Sequence, residues 1–436
     1  MKFYNRESEL KLLSAVQKRA EKGGQMTVIV GRRRIGKTLL AVKSVESQIF
    51  VYFFVGRKTE QLLCEEFIGE IEMKLGLTVL GEYKRFGQLF EFLMRESESR
   101  SFTVIIDEFQ EFQRVNPSVF SDMQNIWDRY KRTSKMHLII SGSVFSMMKK
   151  IFENSNEPLF GRANERIHLK PFNTDVLKEI LTDHSPEWKP SDLLALYTIT
   201  GGVAKYVEIF ADRGCFTLET MLSEIFRENS LLLEDGKNIL IEEFGKEYTT
   251  YFSILSLIAS SKTSRTEIES VLEKDIGGYL EKLEKDYSII SAVKPILSKP
   301  GSRSLKYRID DNFLNFWFRF IYKYRSAVEI NNFEYLKGLV NRDFPTYSGR
   351  LLEKYFIEKL SLTGKYSNIG TWWEKRNENE IDIVAIDEAH WHLLLGEVKL
   401  NENQIDLADL RRKPANLLRE FPGYSVESRG FSLKDI

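Results

Sequence analysis

Over roughly the first 170 residues, short β-branched apolar runs alternate with amphipathic stretches. Met26–Gly31, Gln48–Val55, Thr103–Asp107, His137–Gly142 and Arg166–Leu169 are continuous apolar or β-rich runs of strand length. Helical periodicity fills the gaps, as at Glu60–Lys74 and Phe86–Glu96. Runs without strict polar alternation belong to strands covered on both faces, so the pattern predicts a parallel sheet flanked by helices. From Thr174 to about Phe244 the pattern is wholly helical, broken at Gly201-Gly202. A third pattern occupies Lys246–Asp310, and a final αβ segment runs from Gly349 to the end. No internal repeat is visible. The expected division is 1–172, 173–244, 245–325 and 326–436.

At 436 residues the chain exceeds what one core organises, which agrees with several domains. Its 63 basic and 63 acidic residues cancel, so any nucleic-acid surface has to be local. The two cysteines, Cys64 and Cys215, form neither a disulfide framework nor a metal spacing, and no apolar run approaches bilayer length. With a charged N-terminus lacking a signal core, the expectation is a cytoplasmic protein without a membrane partner.

The strongest chemical signal follows the first strand. Gly31-Arg32-Arg33-Arg34-Ile35-Gly36-Lys37-Thr38 matches G-x-x-x-x-G-K-[ST] and opens a helix that continues through Leu39. The glycines let backbone amides curl around phosphate, Lys37 bridges the β- and γ-phosphates, and Thr38 puts its hydroxyl on Mg²⁺. Asp107 ends an apolar strand and is the second magnesium-site residue. Glu108 beside it is placed to act as general base on the attacking water. No Asn-Lys-x-Asp guanine reader occurs, so ATP is the expected nucleotide. Ser141 or Ser143 at the end of the fourth strand is a candidate γ-phosphate sensor, with helix capping as the alternative. Arg162 is a further candidate, in its own chain or a neighbour's.

These residues, in order, resemble a known family: Tyr4-x-Arg6-Glu7-x-Glu9-Leu10, the Gly31–Thr38 loop, Asp107-Glu108-Phe109-Gln110, Ser141-Gly142-Ser143 and Gly201-Gly202-Val203. The resemblance is to the archaeal-type ATPases among the AAA+ and STAND-like P-loop proteins, and it covers nearly the whole chain. It implies a P-loop core with a helical lid, and puts Arg6 and Glu7 beside the adenine. The chain departs from the family pattern at Ala204, where proline usually follows the Gly-Gly turn.

In the middle segment, Tyr248–Ala259, Arg265–Leu272 (with Thr263 as its cap) and Tyr279–Asp286 read as three helices. Ile289–Val293 and Lys306–Ile309 read as two strands around a Pro-Gly tip. That order is a winged helix-turn-helix. Lys294, Lys299, Arg303, Lys306 and Arg308 cluster in and beside the wing, where phosphates of DNA would lie. Glu281, Glu284 and Asp286 on the reading helix keep a protein-interaction module equally open. Phe313–Ile321 is too aromatic and too poor in charge for a nucleic-acid platform and reads as core.

Near the end, Asp382 lies on a predicted strand, and Glu397 and Lys399 lie two residues apart on its antiparallel partner, so they share a face. An aspartate, a glutamate and a lysine meeting there make an acidic site for Mg²⁺ with a lysine to position water. This resembles the PD-(D/E)XK restriction-endonuclease-like domain. The resemblance adds Glu353 on the preceding helix, and Gln404 as a polar helix position. Two functions stand at this point. One is an ATP-driven switch joined to a DNA-binding end, with DNA cleavage as a further step left open. The other is a regulatory ATPase whose C-terminal domains only bind a partner or nucleic acid. A simple metabolic kinase would have no use for the C-terminal half. The oligomeric state is not legible.

Overall fold

The computed structural model describes residues 1–298, 305–374 and 379–436. The chain divides into two compact units, Lys2–Pro171 and Phe172–Ile436, the latter with Met1.

In the first unit the apolar runs become β1 (Gln25–Val30), β2 (Phe50–Phe54), β3 (Phe102–Asp107), β4 (Met136–Ser141) and β5 (Glu165–His168). All pair in parallel, in the spatial order β2-β3-β4-β1-β5. Every residue of β3 and β4 is buried, whereas the edge strands β2 and β5 are buried only at some positions. Helices on both faces explain why the central strands need no polar alternation. Helix Glu60–Leu75 is capped by Thr59, whose hydroxyl accepts from Leu62 N, and ends on Gly76 in the left-handed region. Phe53 stacks on Phe67 from that helix at 4.4 Å, and Phe86 from helix Phe86–Ser99 meets Phe67 edge-on. Because β4 lies between β1 and β3, the ends of three strands open side by side, the place where such sheets bind ligands.

The second unit begins with five helices, from Thr174–His184 to Leu231–Phe244. Ala204 is the first residue of helix Ala204–Asp212. Proline is tolerated at such a position because the amide there has no helical partner, and alanine starts the same helix. Helices Tyr248–Ala259, Arg265–Leu272 and Gly277–Glu281 follow, the last continuing as a π-turn through Asp286. The cap of the second of these is Ser264 and not Thr263. Ser264 directly precedes the helix, its hydroxyl accepts from Glu267 N, and Glu267 accepts from the Ser264 amide at 3.0 Å, closing a capping box. Strands β6 (Ile290–Val293) and β7 (Lys306–Ile309) pair antiparallel, Ile290 opposite Ile309. Their connecting tip, with Lys299 and Arg303, lies outside the described residues. The aromatic run is core: Phe313 packs on Tyr206 at 3.9 Å and Trp317 donates its indole N–H to Leu233 O at 2.8 Å.

A 30-residue helix, Phe333–Leu362, leads into a four-stranded sheet ordered β11-β10-β9-β8. Its strands are β8 (Asn368–Trp373), β9 (Glu380–Asp387), β10 (His392–Val398) and β11 (Ser425–Phe431). β9 pairs antiparallel with both β8 and β10, while β11 lies parallel to β10. Among the described residues no helix is long and apolar enough to cross a membrane.

Candidate functional site

The loop after β1 has the backbone that a phosphate cradle requires. A Cβ on Gly31 would lie 2.4 Å from Ile35 Cδ1 and 2.7 Å from Leu169 O, so no larger residue fits. Gly36 sits at φ 92° and Arg34 at φ 70°, which curls the chain between them. Ile35 turns inward and is buried, leaving its backbone at the loop. Lys37, also buried, donates from Nζ to Gly31 O at 2.9 Å and Arg32 O at 2.8 Å, which folds the ammonium into the loop's concavity. Thr38 follows it on helix Lys37–Lys43, and Leu39 is exposed there.

The acidic pair closes the other side. Asp107, the last residue of β3 and 4% exposed, accepts from Thr38 Oγ1 at 2.6 Å, Tyr52 Oη at 2.9 Å and Ser141 Oγ at 2.6 Å. The Glu108 amide makes a fourth bond to it, at 3.0 Å. Glu108 follows the strand with a left-handed backbone, φ 56°. Its Oε2 accepts from Ser143 Oγ at 2.6 Å and Gln110 Nε2 at 2.5 Å. Among the described residues Oε1 has no protein donor. Both candidate serines thus fall on the acidic pair, one on each carboxylate. Tyr52 and Gln110 carry no role that the sequence alone suggests. Tyr52 is legible only through the pairing that puts β2 beside β3, and Gln110 lies inside the motif but has no chemistry until Glu108 is seen beside it. Burial and the neighbouring Asp107 push the Tyr52 phenol far above its usual range, so it stays a donor.

Thr38 and Asp107 together offer Mg²⁺ the hard oxygens it prefers, with their donor atoms already adjacent. Two other candidates are engaged elsewhere. Arg162 pairs with Asp128 at 3.1 Å and donates to Phe160 O. Arg6 is buried, pairs with Glu9 at 3.4 Å and donates to Lys170 O at 2.8 Å, joining the N-terminal helix to the segment after β5. Glu7 is exposed.

In the second unit the three charged residues expected to meet do so. Lys399 Nζ lies 3.3 Å from Glu397 Oε1 and 3.8 Å from Asp382 Oδ2. Asp382 accepts from Val398 N and Glu397 from Asp406 N, both at 2.8 Å. β10 ends at Val398, one residue before Lys399, but the Lys399 amide still bonds Phe431 O at 3.0 Å and keeps the extended direction. Glu353 faces the same acids from the long helix. Burial first, then the Asp382 and Glu380 charges, raise its carboxyl to about 8. Burial likewise raises Asp382. Gln404 is exposed in a single turn, Glu402–Gln404. Among the described residues no three acidic, histidine or cysteine side chains converge tightly enough to hold a metal by themselves. Mg²⁺ commonly takes only one or two carboxylates and keeps several waters, so Asp382 and Glu397 fit it as a pair.

The cations in and beside hairpin β6–β7 are partly neutralised. Lys306 pairs with Glu380 at 3.3 Å and lies 4.5 Å over the Trp373 ring, Arg308 lies 3.9 Å from Asp310, and Lys294 is exposed. Nothing in the local sequence pattern marks Lys354, whose ammonium donates to Asp310 O and Asn312 Oδ1 at 2.6 Å each and is lowered by burial to about 8.

Residues 3–210 match a family described as an ATPase domain predominantly from Archaea, and residues 317–412 match one described as archaeal and bacterial proteins of unknown function. The uncharacterized protein MJECL04 of Methanocaldococcus jannaschii is 31% identical over 409 residues, 91% of this chain and 87% of that protein. The Walker-type ATPase PABY2304 of Pyrococcus abyssi superposes with a TM-score of 0.55 at 17% identity, over 72% of this chain and 96% of that one. The ORC2 protein of Aeropyrum pernix, solved with ADPNP and ADP, gives 0.49 at 14% identity, over 76% and 96%. With the phosphate loop and its acidic pair assembled at the end of a parallel sheet, and with this sequence match along nearly its whole length, the chain belongs to the archaeal-type ATPase family.

Proposed function

We propose that the first unit binds ATP with Mg²⁺ and hydrolyses it, and that the nucleotide state switches a C-terminal region that binds DNA. The observation carrying the ATPase reading is the join between the phosphate loop and the acidic strand end, Thr38 to Asp107 at 2.6 Å, with Glu108 held beside it. The loop amides and Lys37 grip the β- and γ-phosphates. Thr38 and Asp107 would hold Mg²⁺, which when bound would supply positive charge to the phosphate oxygens. Glu108 Oε1 takes a proton from the water whose oxygen attacks the γ-phosphorus. The bond to the bridging oxygen breaks, and ADP and inorganic phosphate leave.

For the second unit, three helices followed by an antiparallel hairpin support a winged helix-turn-helix within 245–325, after a helical lid at 173–244. The meeting of Asp382, Glu397 and Lys399 supports a nuclease-like domain within 326–436. Unlinked cysteines agree with a reducing, cytoplasmic setting. One observation favours the second reading, a regulatory ATPase that binds without cleaving. The Lys399 ammonium lies against both acids, at 3.3 and 3.8 Å, and already supplies the positive charge they need.

The test is phosphate release from ATP with and without Mg²⁺, alongside Lys37→Ala and Glu108→Gln. In parallel, plasmid and single-stranded DNA are incubated with Mg²⁺ or Mn²⁺, with an Asp382→Ala control. Turnover lost in both variants supports ATP hydrolysis at this site, and unchanged turnover in Glu108→Gln refutes the assigned base. Cleavage absent from parent and control alike selects the regulatory reading.

A further inference from the structure

A cavity of about 750 Å³ opens inside the second unit, walled by β7, the long helix and the β8–β9 edge. Its charges are unusually arranged. Arg319, Arg350 and Lys354 line it, and among the described residues none of them has a carboxylate at ion-pair distance. Arg319 donates to Ala259 O at 3.1 Å, and its buried Nε has no partner among the described residues. Arg350 donates to Ser261 Oγ at 2.8 Å, and Lys354 to the two neutral oxygens described above. Arg319 and Lys354 are partly buried and Arg350 is exposed at the cavity's edge; an anionic ligand would supply the close counter-charge that the two partly buried cations lack.

The same cavity is lined by Glu353 and Asp382, and Glu353 has no hydrogen-bond donor among the described residues. Cations and carboxyls lining one cavity suit a group that is anionic along its length and is approached by a divalent cation at one point, as a phosphodiester chain is. Tyr307, half-buried, also lines the cavity and is an aromatic ring on which a base could stack. The volume falls in the range of small-molecule sites, about 300–1,000 Å³, which takes a nucleotide or two but not a double helix.

We infer that this cavity receives a single nucleic-acid strand, with Arg319 and Arg350 on its phosphates, and that hairpin β6–β7 forms a wall of the Asp382 site instead of a separate duplex-reading wing. This rests on the proposed DNA-binding role and narrows its substrate to single strands.

Binding of a labelled strand of about 15 nucleotides is measured by fluorescence anisotropy on the full chain, in EDTA so that no strand is cut. A blunt duplex of the same sequence and dAMP serve as competitors. The strand is expected to bind at least about 10-fold tighter than the duplex, and Arg350→Glu to weaken it by a similar factor while thermal unfolding stays unchanged. Arg350→Lys, which keeps the charge, restores binding. The logarithmic slope of affinity against salt falls by about 0.7 for each phosphate that the variant no longer neutralises. Strand and duplex binding equally, with Arg350→Glu indifferent, overturns the cavity while leaving DNA binding intact. dAMP competing as well as the strand reassigns the cavity to free nucleotides. No binding of any of the three refutes the DNA-binding role itself.

Discussion

His137 gives the nucleotide-binding sheet a calculable sensitivity to acid. It sits on β4, 1% exposed, with Nδ1 against Gln17 Oε1 and Nε2 against Thr27 Oγ1, both at 2.9 Å. A glutamine carbonyl oxygen can only accept, so Nδ1 carries the proton and Nε2 accepts from the threonine. Among the described residues no carboxylate partners the ring, and burial lowers its pKa from 6.5 to about 3. The folded state therefore refuses a proton that the unfolded chain takes up. A depressed native pKa means the stability is fully present above pH 6.5 and is lost as pH falls toward 3. At pH 4.5 the loss is about 2.7 kcal/mol, two pH units at 1.36 kcal/mol each. Moving the native value by a unit changes this by only about 0.1 kcal/mol, because the ring is still mostly neutral there. Urea unfolding is followed by hydrogen exchange in peptides covering β4, from about pH 7.5 to about 4.5, for the parent and His137→Gln. The substitution lowers stability at the upper end, since it removes a well-packed ring, but the parent loses about 2.7 kcal/mol more than the variant on acidification. Parallel pH profiles would refute the reasoning.

Ser143→Ala removes one of two donors that orient Glu108 and should slow ATP turnover about 10-fold with little change in nucleotide affinity, read from kcat against KM. Gly142→Ala would bring a Cβ to 2.3 Å from Gln110 Oε1 and 2.4 Å from Met148 Sδ, and should cost about 1–3 kcal/mol in urea unfolding together with turnover. Glu353 has a raised pKa, so its contribution to stability is greatest below its unfolded value of 4.5 and is lost as pH climbs through about 8. In metal-free buffer Glu353→Gln should therefore unfold at a higher temperature than the parent at about pH 9, with the gap closing toward about pH 5.

The phosphate site was almost wholly legible because its chemistry is local. Gly31, Gly36, Lys37 and Thr38 fall within eight consecutive positions, and the strand before and the helix after them announce themselves by apolar pattern. Asp107 and Glu108 could be named for the same reason, at the end of a strand whose six residues are all buried. What surrounds them could not. Tyr52 reaches Asp107 because β2 pairs with β3, and Ser141 and Ser143 reach the acidic pair because β4 inserts between β3 and β1. A sequence carries strand order only weakly, since any covered parallel strand has the same apolar composition whichever neighbours it takes.

The C-terminal acids show the same boundary. That Glu397 and Lys399 share a face follows from the period of two in a strand, and needs no tertiary information. The shared cavity needs much more. It depends on β7, the long helix and β9 packing together, which brings Lys306, Arg350 and Asp382 to one cavity from positions far apart in the chain. Local spacing along the backbone is written into the sequence by the geometry of one element. Which charges are left unmatched is decided only when distant elements pack, because burial and counter-charge are properties of the space between them.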